Sequence, residues 1–195
     1  MKLFKSVLLT SLLLLTFGVV QSQEEGRREG QTAEAQESES HHKHSLSVLL
    51  AHVHIGNGAE GGSIRGIQRP SWMIAYNYSF NEKWALGLHG DIILETFTVE
   101  KGGAPGEGET PNLLERDYPI SLVGAGTFKP IEHLGIIVGG GLEFDKSESF
   151  GLVRFGLEPN LRLSERIELI LNLSYDIKID GYDNWNLGFG IAYGL

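Results

Sequence analysis

The chain of 195 residues contains no cysteine, which excludes a disulfide framework, a thiolate metal site, a cysteine nucleophile and a lipoprotein anchor. A cationic surplus is missing too. The net charge is −9, whereas a nucleic-acid partner needs a basic surface to meet its phosphates. Long apolar runs are also absent: the best candidate, Val7 to Val20, falls short of the ~20 residues that span a bilayer as a helix. Glycine, in contrast, is abundant. Its 26 residues are close to twice the roughly 7% share of an average protein.

Lys2 and Lys5 precede the apolar run, and Val20-Gln21-Ser22 follows it. A basic start, an apolar middle and a small-residue end predict a cleaved signal peptide over residues 1–22. Residues 23–44 carry Glu24, Glu25, Glu29, Glu34, Glu37 and Glu39 but no Leu, Ile, Val, Phe, Tyr or Trp. Such a stretch cannot bury enough apolar surface to offset its ordering entropy, so it is expected to be a disordered tether. It closes on His41, His42, Lys43 and His44.

From Ser45 the pattern turns to alternation. Trp185, Leu187, Phe189, Ile191, Tyr193 and Leu195 alternate with Asn186, Gly188, Gly190, Ala192 and Gly194, the period of two that defines a strand. The same period predicts eight strands, at about 45–56, 70–81, 84–98, 118–128, 134–145, 150–163, 166–179 and 184–195. Short turns at 81–83, 129–133 and 164–166 interleave with longer connections at 57–69, 99–117, 146–149 and 180–183. An even number of long strands joined in this way predicts an all-β fold: an eight-stranded antiparallel up-and-down transmembrane β-barrel over residues 45–195.

A soluble eight-stranded barrel also alternates, but its outward face must be wetted by charged side chains. Here the minority face is small, as in Gly135, Gly139 and Gly141 or Gly188, Gly190 and Gly194. Small residues suit a narrow, crowded lumen, and the bulky face suits lipid. Trp72, Phe80, Trp84, Phe128, Phe144, Phe150, Tyr182, Trp185 and Tyr193 cluster near strand ends, as interfacial girdles require.

These features resemble the small eight-stranded outer-membrane β-barrel proteins of Gram-negative bacteria. The resemblance rests on the signal peptide, the eight alternating strands and the terminal Phe189, Ile191, Tyr193, Leu195 series. It implies insertion into the outer membrane by the barrel-assembly machinery, with contact to membrane lipid and lipopolysaccharide. It also implies a monomer with both termini in the periplasm and the longer loops outside.

With the bulky residues outward, a turn centred on Glu165 places Arg162 opposite Glu168, Glu158 opposite Asn172 and Arg154 opposite Asp176. Lys178 faces inward on the same strand, and Glu143 is expected to reach Arg154. Glu143, Arg154, Glu158, Arg162, Glu168, Asp176 and Lys178 therefore form a candidate lumenal charge network. Eight strands enclose a space that side chains fill, so the network is expected to plug the barrel rather than line a pore.

Imidazoles offer a second chemistry. His41, His42 and His44 are candidate ligands for weakly bound zinc or copper at the tether. His52 and His54 share a face of the first strand, about 33 Å of strand separates His44 from His54, and His52, His89 and Asp91 are expected at one depth in the lumen. Some barrels of this architecture modify lipids with a His and a Ser. Ser174 and Asp176 lie on a late strand, but no histidine follows His133, so no enzyme and no required cofactor are expected. The Gly102 to Pro111 stretch lacks Gly-Lys-Ser/Thr and is no phosphate cradle. The sequence thus points to a membrane scaffold or a surface-binding or adhesion protein acting through loops 57–69 and 99–117 on an unknown extracellular ligand. A narrow channel or a metal-handling protein is the alternative.

Overall fold

The computed structural model describes residues 42–60, 63–101 and 112–195. The expected signal peptide, most of the tether, His41 and the Gly102 to Pro111 stretch lie outside the described residues. Among the described residues twelve strands form in chain order: β1 His44–Ile55, β2 Gly58–Glu60, β3 Ser63–Ile64, β4 Ile67–Ser79, β5 Trp84–Ile93, β6 Phe97–Glu100, β7 Leu113–Arg116, β8 Ile120–Ile131, β9 Leu134–Phe144, β10 Phe150–Arg162, β11 Ile167–Lys178 and β12 Asn184–Gly194. Eight of them close into a barrel in the order β1-β12-β11-β10-β9-β8-β5-β4, all neighbours antiparallel.

The alternation of the sequence becomes the two faces of this wall. On β1, Ser47, Leu49, Ala51, Val53 and Ile55 are buried inward, while Leu46, Val48, Leu50, His52 and His54 face out. Outward side chains such as Leu50, Leu187 and Phe189 remain more than half exposed. A belt of large apolar groups of this extent is far beyond what a water-soluble surface carries and matches the lipid-facing band of a membrane barrel.

The register fixes the tilt. Following partners around the ring from Ser45 leads through Asn77, Gly87, Ala125, Gly139, Arg154, Asp176 and Asn184 to Ile55, ten residues further along the starting strand. Such an offset requires strands inclined by ~40° to the axis. Lumenal glycines allow the close approach of β8 to β9: a Cβ on Gly139 would stand 2.8 Å from the Gly124 carbonyl oxygen, and one on Gly141 would collide with that of Leu122.

One end of the barrel carries the described termini and the short turns, with the Leu195 N–H donating to the His44 carbonyl. The other carries the long connections, and there the fold departs from a set of plain loops. The expected strand 84–98 breaks at Leu94-Glu95-Thr96, where the Leu94 N–H turns to the Pro70 carbonyl and Thr96 bonds Asp117. The chain resumes as β6 in a second, four-stranded sheet of order β3-β2-β6-β7. Its short alternations bury Phe97 and Val99 against Ile55, Ile67, Ile93, Phe150 and Tyr182. The connections 57–69 and 99–117 are therefore, where described, ordered sheet rather than loop.

Candidate functional site

The loop half of the lumen holds two ionic groups stacked along the axis. In the first, Arg154 on β10 meets its register partner Asp176 on β11 through two parallel bonds, Nε to Oδ1 and Nη2 to Oδ2, both 2.7 Å. Nη2 also lies 2.6 Å from Oδ2 of Asp91, which reaches in from β5, and Asn186 donates to Asp176 at 3.1 Å. The planar guanidinium fork suits this arrangement better than a point charge would.

The second group is nearer the loop end. Glu143 on β9 receives Arg116 Nη2 at 3.0 Å, Lys178 Nζ at 3.2 Å, the Tyr182 hydroxyl at 2.7 Å and Ser121 at 3.4 Å. Lys178 also bonds Asn184 and sits 4.1 Å above the Tyr182 ring. Arg116, fully buried, sends its other arm to Asp145 Oδ1 at 2.9 Å, to the Ser147 hydroxyl and to the Glu148 carbonyl at 2.6 Å. It thereby latches β7 to the turn after β9. Lys101 adds a second tie to Glu148 at 2.7 Å.

Buried charges are tolerable only when paired and hydrogen-bonded, and removing one partner of such a pair costs about 3–5 kcal/mol. Here Arg116, Arg154 and Lys178 face Asp91, Glu143, Asp145 and Asp176. Burial, reinforced by the adjacent Glu143 carboxylate, pushes the Tyr182 hydroxyl well above its ordinary pKa, so it remains a donor. Burial alone would raise Asp145, but the Ser147 hydroxyl and the N–H groups of Ser147, Asp117 and Glu148 hold it below the usual carboxylate value of 3.8. Phe97, Val99, Phe150 and Tyr182 then close the barrel above the ions.

The terminus half is more open. A cavity of about 200 Å³ opens there among Lys83, Lys129, His133, Asn160, Arg162 and Glu168, and a smaller one continues inward past Thr127 and Glu158. Asn172 donates to Glu158 at 3.3 Å and Asn160 to Glu168 at 2.9 Å, while Arg162 stands 3.9 Å from both Glu132 and Glu168.

The structure divides the residues expected to form one network. Arg154, Asp176, Lys178 and Glu143 belong to the loop half, and Glu158, Arg162 and Glu168 to the terminus half. Glu143 is engaged by Arg116, Lys178 and Tyr182 rather than closing on Arg154, because β9–β10 pairing sets Glu143 opposite Phe150 and Arg154 opposite Gly139. Four residues of strand separate the two levels, about 13 Å. His89 and Asp91 are lumenal, and His89 contacts Asn77 at 3.0 Å. His52 is not, for it shares the outward face with His54.

Of the tether histidines, His42 turns its ring toward Gly194 at the barrel mouth, while His44 turns outward to bond the Tyr76 hydroxyl at 2.6 Å. The two do not converge on one point. Ser174 and Asp176 both face the lumen, and Asp176 is held by Arg154. Sequence reasoning missed Arg116, and Tyr182 and Phe150, expected in the interfacial girdle, are instead buried under the accessory sheet. The one available signal for Arg116 was its place two residues after Leu114 in the short stretch Leu113-Leu114-Glu115-Arg116.

No family model and no curated protein sequence matches this chain. Solved structures do. OprG of Pseudomonas aeruginosa superposes with a TM-score of 0.51 at 11% identity, covering 80% of this chain and 97% of that one. Neisserial surface protein A gives 0.49 at 12%, covering 78% and 97%, and the attachment invasion locus protein Ail of Yersinia pestis gives 0.43 at 16%, covering 77% and 97%. At 11% identity the likeness to OprG speaks for architecture alone, and it agrees with the closed ring of eight antiparallel strands: the chain has the fold of the small eight-stranded outer-membrane β-barrel proteins.

Proposed function

We propose that this protein sits in the outer membrane as a monomer, termini in the periplasm, and works as a surface-binding protein through its loop end rather than as a pore. The observation that carries this reading is the double closure of the loop half, by buried ion pairs and by the apolar lid fastened through Arg116. A closed barrel crowned by ordered sheet presents a fixed platform on which a ligand could be held. Binding is non-covalent in this reading, and lipopolysaccharide surrounds the platform without being its specific ligand.

Planar-bilayer recording of the refolded protein tests the closure, with no large, steady conductance expected. Protease protection of segment 101–112 in intact cells, with and without a candidate ligand, tests the binding role. A sustained open state, or a segment that no surface molecule protects, would count against the reading. A narrow channel is the second reading, favoured by the polar lumen that continues inward from the terminus-end cavity. It requires the Arg154 pairs to part.

A further inference from the structure

The wall is interrupted between β10 and β11. Pairing runs from Leu152 opposite Lys178 to Leu157 opposite Leu173, skips Glu158 and Pro159, and resumes at Asn160 opposite Ile170. A proline has no N–H to give the ladder, which is why it is rare inside a sheet. Pro159 is also shorter than the side chains around it and faces outward. A slot of about 190 Å³ therefore opens on the outer wall among Pro159, Leu161, Leu169, Leu171 and Phe189, deep enough to touch Asn160 and Ile170 of the inner face. From this slot an apolar strip leads toward the terminus end: Leu171 stands opposite Phe189, Leu169 opposite Ile191 and Ile167 opposite Tyr193. The strip ends at a cation. Arg166 Nη1 donates to the Tyr193 hydroxyl at 3.4 Å, and among the described residues the guanidinium holds no ion pair, its neighbour Glu165 acting on it only through space.

We infer that this strip binds one anionic glycerophospholipid of the leaflet at the terminus end, with its phosphate on Arg166 and Tyr193 and an acyl chain in the slot at Pro159. The lengths agree. Five residues of strand from Arg166 to Leu171 span about 16 Å, and one leaflet contributes half of a hydrocarbon core that is ~30 Å thick. A guanidinium presents several N–H groups to phosphate oxygens. Tyr193 accepts from Arg166, so its own O–H is left to donate to the same group, and a tyrosine at this level lies where headgroups meet hydrocarbon. The chain is held by packing into a fixed recess, because the surrounding lipid is as apolar as the wall and offers no hydrophobic gain. The inference rests on the barrel's spanning a membrane and not on the binding role of the loop end.

The test is native mass spectrometry of the refolded mature protein released from detergent micelles doped with phosphatidylglycerol or with diacylglycerol, which lacks the phosphate. One retained phosphatidylglycerol and no retained diacylglycerol are expected. Arg166→Gln should weaken retention by roughly tenfold. Tyr193→Phe should weaken it less, since the ring stays. Pro159→Leu, which fills the slot and restores an N–H to the ladder, should weaken it by several-fold while leaving the headgroup contacts in place. Lys83→Gln removes a cation from the β4–β5 turn, on the opposite side of the barrel mouth, and should change nothing. Heat-modifiable migration in gels establishes that each variant is folded, and a wild-type protein without it would count against the membrane barrel itself. In folded protein, no retained phospholipid, equal retention of diacylglycerol, retention unchanged by Arg166→Gln or Pro159→Leu, or an equal loss with Lys83→Gln would each overturn the inference.

Discussion

The two halves of the lumen are built from the same strands yet solve opposite problems. In the loop half, Arg154, Asp176, Glu143 and Lys178 are almost fully buried, so each charge needs fixed partners. In the terminus half, Arg162 and Glu168 keep 37% and 28% of their side-chain surface, and water can serve instead. The difference is made outside the barrel. Phe97, Val99 and Arg116 come from the accessory sheet, and without that cover the loop half would be as open as the other. A capped barrel end can hold strong electrostatics, whereas an open one holds only screened pairs.

The contrast can be broken at its centre first. Arg154→Ala strands Asp91 and Asp176 without their cation and should cost about 3–5 kcal/mol, read as a lower urea midpoint of the folded barrel. Arg116→Met should act locally, lowering the free energy of opening by about 3 kcal/mol and exposing the backbone at 112–116 to protease before global unfolding. If both variants unfold the whole barrel together, cap and wall are a single cooperative unit and the comparison of halves fails.

Acid should release the same latch more gently. The folded-state pKa of Asp145 is depressed, so its contribution is present above the unfolded value and is lost as pH falls through the folded one. Protease sensitivity of the latch should therefore rise only below about pH 3.8, the ordinary carboxylate value. Sensitivity appearing near neutrality would assign control to another group. Smallest of all, Arg162→Ala should change stability by less than about 1 kcal/mol, because its ion pairs are long and partly exposed.

Much of this was legible beforehand. The turn at Glu165 is short, so counting outward from it yields Arg154 opposite Asp176 and Arg162 opposite Glu168, as observed. The β9–β10 connection is longer, and counting across it gives no register, which is why Glu143 was expected at the wrong level. Arg116 lay in a segment whose alternation lasts only four residues, too few to tell strand from loop. His52 was misplaced because both faces of β1 are apolar along most of their length. There the closure of the ring, and not the local pattern, decides which face looks inward.

The ten-residue offset has a consequence for assembly. Since neighbouring positions on a strand face opposite sides, a strand slipped by one residue would turn inside out and push Arg154 into lipid. The smallest error that keeps each face on its own side is a slip of two, and against β11 that sets Arg154 opposite Ser174 or Lys178 instead of Asp176. One such slip leaves the guanidinium facing a hydroxyl and the other makes it face a second cation. The buried ion pair therefore acts as a parity check on the wall: it penalises the misregistered barrels that hydrophobic patterning alone would accept.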